Sequence, residues 1–138
     1  MKIKYLQFPL FFLFGSVLYP LIEILYRGYT HISMSILGGL CFCAIRGVDL
    51  AFGKGKILIK AISSALIITE LEFICGVIVN IGMNLSVWDY SHRPFNVAGQ
   101  ICPLFTFFWF LLSIIPLIFW NFLSFEKKVK PQEGKEKP

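Results

Sequence analysis

The chain has 138 residues, of which 57% are hydrophobic, 17% aromatic and only 15% charged, with a formal net charge of +5. A soluble domain has about 45–50% apolar and about 25% charged residues, so this composition excludes a water-facing surface over most of the chain. The length suits one domain and not two, and a basic excess this small gives no footprint for nucleic acid.

A hydrocarbon layer about 30 Å thick needs about 20 helical residues to cross it. Four stretches meet that need: residues 5–25, 32–52, 57–83 and 97–123. The first follows Lys2 and Lys4 as a signal peptide would, but it is long, contains Pro9 and Pro20, and runs into Glu23 and Arg27 without a small-x-small cleavage site. It is expected to stay. The second is interrupted near its end by Arg46 and Asp49, and the fourth is followed by a Lys/Glu/Pro-rich tail, 126–138, expected to be disordered and basic. The tail's lysines either attract anionic lipid or only fix topology. The expected fold is an all-α membrane protein, a bundle of about four transmembrane helices over residues 1–125.

Orientation follows from the basic residues flanking the spans. With the N-terminus inside, Lys2, Lys4, Arg46, Lys54, Lys56, Lys60, Lys127, Lys128, Lys130, Lys135 and Lys137 fall on the inner side. Arg27 and Arg93 fall on the outer side, a ratio of eleven to two. Both termini are therefore expected to be cytoplasmic, in an inner or plasma membrane of bacterial type.

Ionisable groups inside a membrane are costly and are functional candidates by default. Glu23, Arg27 and His31 are spaced four apart, which stacks them on one face if the first helix continues that far, with Glu before Arg in the favourable order. Glu72, Gly76 and Asn80 repeat the spacing on the third span. Lys60 marks its inner end, so Glu72 lies roughly 18 Å further out at 1.5 Å per residue. Glu70 is close but faces differently from Glu72, and each should face the bundle or a partner, or be protonated. Gly76 would let another helix approach closely. Trp88 and Tyr90 suit a membrane interface. Asn96 is placed to cap the fourth helix, with Gln100 one turn further in. Asp89 is placed to meet Arg27 or His31 across the outer mouth. Together Glu23, Arg27, His31, Glu72, Asn80, Trp88, Asp89, Arg93, Asn96 and Gln100 form a candidate polar pocket toward the outer face. The alternative is that the same residues only lock helices and loops together.

The chemical motifs are negative. There is no G-x-x-x-x-G-K-[ST], no G-x-S-x-G and no H-E-x-x-H. Cys41, Cys43, Cys75 and Cys102 lack metal-ligand spacing and read as small buried hydrophobes. His31, His92 and Asp89 have neither a nucleophile near them nor a spacing that fixes a metal site. No catalytic residue, metal or cofactor is expected, and an intramembrane enzyme is the least favoured reading.

The run Glu23-Ile-Leu-Tyr-Arg-Gly-Tyr-Thr-His-Ile-Ser-Met, followed by Gly38-Gly39, resembles the signature of the type IV ABC-transporter permease family (CmpB-like). Glu72…Gly76…Asn80, Trp88-Asp-Tyr-Ser, Pro94-Phe-Asn and Gly99-Gln-Ile-Cys agree with it, and the animal transmembrane protein 229 group is similar to the same pattern. The resemblance extends from about Leu6 to Leu123. It implies a transport-related, permease-like subunit. With four spans and no nucleotide site, such a subunit would form a homo-oligomer or join other membrane subunits, among them a separate ATPase.

Overall fold

A computed structural model of the chain describes residues 6–129. Its described residues hold α-helices and one π-helical segment and no strands: α1 (Phe8–Arg27), α2 (Ile32–Phe52), α3 (Ile57–Gly76), a π segment (Val77–Gly82) and α4 (Pro103–Val129). Four helical stretches, the third being Ile57–Gly82, are long and apolar enough to cross a membrane. Their outward surface is apolar: Leu10, Leu25, Ile32, Leu66, Ile115 and Phe122 are all well exposed. Such a surface is an aggregation hazard in water and suits lipid. The helix continues through residues 126–129, the first of the tail that the sequence predicts to be disordered, and the rest of that tail, 130–138, lies outside the described residues.

Local signals set the helix ends. Pro9 stands in the first turn of α1, where its missing amide costs nothing. Gly28 closes α1 in the left-handed region (φ 82°), its amide returning to Ile24. His31 caps α2 by accepting the Ser33 amide. The fourth helix begins later than the sequence predicts, at Pro103 rather than near residue 97. Gly99 at φ 69° and Ala98 at φ 51° place the chain in a turn that no right-handed helix can pass.

The helices pack in chain order, α1 on α2, α2 on α3 and α3 on α4. In lipid, helices gain little from hiding apolar area, so close fit and hydrogen bonds hold them together. The α1–α2 contact shows the first of these. A Cβ on Gly38 would strike Tyr19 Cβ and the Gly15 carbonyl, and one on Gly39 would lie 2.5 Å from Ser16 Oγ. Thr69 and Thr106 share a hydrogen bond of 2.9 Å between α3 and α4, which shows the second. The backbones of α1 and α4 stay largely apart. These helices meet through aromatic pairs, Tyr19 stacked on Trp109 and Phe11 edge-on to Trp120. Beside those pairs opens an apolar cleft of about 620 Å³, floored by Gly38, Cys41, Ile45 and Ile68.

Candidate functional site

The segment between the π turn and α4, residues 83–102, is not a plain connection. It folds back into the end of the bundle and buries Val87, Trp88, Gln100 and Cys102. Asn80, buried in the π segment, organises it. Its Oδ1 accepts the Val87 amide at 2.7 Å and its Nδ2 donates to Gln100 Oε1 at 2.8 Å. Trp88 Nε1 donates to the Gln100 carbonyl at 3.0 Å. Trp88 is buried within the chain, where its one polar atom finds its acceptor. Gly76 makes room for this: a Cβ there would lie 2.5 Å from Gln100 Oε1 and 3.0 Å from Trp88 Cζ2. The close approach that Gly76 permits is by the returning loop, not by another helix.

Glu23 and Arg27 form the ion pair that their spacing predicts. Arg27 Nη1 also donates to the Val87 carbonyl at 2.7 Å, and Thr30 donates to Glu23 Oε2 at 2.6 Å. The α1 end is thus tied to the same loop residue that Asn80 holds. His31 does not extend this face. The helix stops at Arg27, and His31 Nδ1 lies 2.8 Å from Ser33 Oγ at the start of α2.

Glu72 is almost fully buried, 1% exposed, on the inward face of α3. Its carboxyl accepts Tyr90 Oη and Trp109 Nε1, both at 3.0 Å. Trp109 is backed by Tyr19, 5.4 Å away ring to ring, and Tyr90 by Phe105, at 4.5 Å. No cation lies within ion-pair distance of Glu72 among the described residues. Burial first, then the facing Glu72 carboxyl, raises the Tyr90 hydroxyl above its usual range, so it stays a donor.

The remaining candidates stand apart from this network. Asp89 does not meet Arg27 or His31. It accepts the Ser91 amide at 2.8 Å and the Ser91 hydroxyl at 2.9 Å on the exposed side of the loop. Those bonds, with His92 nearby, hold its carboxyl below the usual range. Asn96 caps no helix: it accepts the Gly99 amide at 3.0 Å and donates to the Ser91 and Arg93 carbonyls, so it closes a turn. Gln100 lies in that turned segment, not inside α4. Arg93 is half-buried beside it, and its amide donates to the Tyr90 carbonyl. None of the ten candidates lines the α1–α4 cleft or the apolar groove of about 460 Å³ beneath the loop between α3 and α4.

A second polar centre, which sequence reasoning treats only as flanking charge, lies at the other end of the bundle. Lys60 is 1% exposed, and its Nζ donates to Asp49 Oδ1 at 2.7 Å and the Gly53 carbonyl at 2.6 Å. Arg46 meets the other Asp49 oxygen at 2.5 Å, reaches Gln7 Oε1 at 3.3 Å, and lies over the Trp120 ring at 5.1 Å. One carboxylate thus joins two cations. The i,i+3 spacing of Arg46 and Asp49 was the available signal; Lys60, eleven residues on, carried none.

No curated protein and no solved structure matches the chain. Residues 10–131 match the family model described as "Putative ABC-transporter type IV", which agrees with the resemblance carried by the Glu23–Met34 run and by Glu72, Trp88 and Gly99-Gln-Ile-Cys. A multi-helix membrane protein with four apolar spans, the chain belongs to that ABC-transporter-related family.

Proposed function

We propose that the chain is a transport-related, permease-like subunit whose working group is the Glu72 carboxyl, exchanging a proton or a cation at the centre of the bundle. The observation that carries this reading is a buried acid well inside an apolar span, held by two neutral donors and, among the described residues, by no cation. Asp49, by contrast, sits beside two bases, Arg46 and Lys60. Two neutral donors orient the carboxyl without a counter-ion, which leaves it able to take up a proton or another positive charge. Both termini are read as cytoplasmic from the eleven-to-two distribution of basic residues, which puts the 83–102 loop on the outer side.

One observation favours a second reading, that of a structural membrane subunit. Asn80, Gln100 and Trp88 spend their hydrogen bonds within the chain, as a locked joint would. Replacing Glu72→Gln, and separately Arg27→Ala, in a host whose own copy is deleted separates the two. Normal membrane levels with a lost transport phenotype for Glu72→Gln supports the working carboxyl. Loss of folded protein in both variants supports the structural joint. Unchanged behaviour in both sinks the first reading. Co-purification of the intact chain with an ATPase in mild detergent tests the link to an ABC system.

A further inference from the structure

Glu70 lies midway along the Ile57–Gly82 span and is exposed on it. At 100° per residue it points about 200° away from Glu72, so the two acids lie on opposite sides of α3. Its own side is an apolar stripe at helical spacing, with Leu66, Ile74 and Val77 all exposed. Glu70 has no ion pair and no hydrogen bond to any described residue. Facing lipid, such a carboxyl has only a proton or a partner to satisfy it. Among the described residues, the basic groups that lie within the helical spans are already engaged and cannot serve from a second copy: Lys60 is buried on Asp49, Arg46 is paired with the same acid, and Arg27 is spent on Glu23 at the helix end.

We infer that the outward face of α3 around Glu70 is the docking surface for a different subunit, through a transmembrane helix with a Lys or Arg at mid-span. Charge complementarity selects that occupant, because a second copy would bring one carboxyl against another. The inference does not depend on the role of Glu72. The test uses the full chain in phosphatidylcholine vesicles. It measures energy transfer to single-span Leu/Ala host peptides of about 20 residues, with Lys or Leu at the centre. The Lys peptide is expected to associate about tenfold more tightly than the Leu peptide. Glu70→Gln and Glu70→Leu should both remove that preference while leaving the thermal melting of the chain unchanged, since Glu70 supports nothing inside it. Equal association of the two peptides, or a preference that survives in both variants, overturns the inference. So does self-association of the wild-type chain that Glu70→Leu abolishes, because a second copy would then be the occupant.

Discussion

At Glu72 and Tyr90 the side chains fit one another atom by atom: each carboxyl oxygen has one donor, and each donor rests on an aromatic ring. Such pairing makes single deletions costly. Trp109→Phe keeps the ring against Tyr19 but leaves Glu72 Oε2 without its donor. An unmet buried acceptor costs about 1–3 kcal/mol, and a lower melting temperature in detergent, with secondary structure retained by circular dichroism, is the expected readout. Asp89 works at the surface. Its folded carboxyl is held below the ordinary value of 3.8, so its contribution is fully present above that value and is lost as pH falls through the lowered folded one. Hydrogen exchange of the Ser91 amide should therefore be slow and constant above about pH 4 after correction for intrinsic rate. It should speed up only in more acidic buffer, and Asp89→Asn should remove the acid step.

Among the elements, α1 and α2 depend on size rather than chemistry. Gly15 and Gly38 leave no space for a side chain between the two backbones, and Gly39 lies against the Ser16 and Phe12 side chains. Overfilling a close-fitted contact costs about 1–3 kcal/mol. Gly38→Leu should therefore separate the helices, read as a lower melting temperature and faster proteolysis in the α1–α2 region, whereas Gly47→Ala, with open space around it, should be neutral. The Glu72, Gly76 and Asn80 series predicted from four-residue spacing does share a buried face. The loop was not predicted, because its path relies on left-handed backbone at Asn84, Ser86, Phe95 and Ala98. Residues other than glycine give little sign of that geometry in sequence.

Across the whole molecule, two polar centres at opposite ends hold four helices that share a mostly apolar interface. Asp49 joins α2 to α3 through Lys60, and Arg46 extends the centre to the aromatic ring of Trp120 on α4. Removing the shared acid leaves two cations without a counter-charge. Breaking a buried pair in this way costs about 3–5 kcal/mol, so Asp49→Asn should lose most of its folded protein. Asp49→Leu combined with Lys60→Met should recover a good part of it, measured by monodispersity on gel filtration in detergent. The α1–α4 side, where the backbones stay apart around the cleft, is the least braced part of the bundle.

Four spans were legible in the sequence because hydrophobic length and helical rise are local properties, which a run of about 20 apolar residues carries by itself. The Glu23–Arg27 pair was legible for the same reason, since one helical turn brings the two together. The resemblance also held, through residues spread over most of the chain. Only the tertiary structure decided which way the acids face. It placed Glu72 inward among Tyr90 and Trp109, Glu70 outward, and Asp49 on a lysine eleven residues away. It also drew Trp88 and Gln100 into the bundle and moved the start of the fourth helix to Pro103. The physical reason is that a buried polar atom must find a partner wherever the fold brings one, and partners far apart along the chain leave no trace in local spacing.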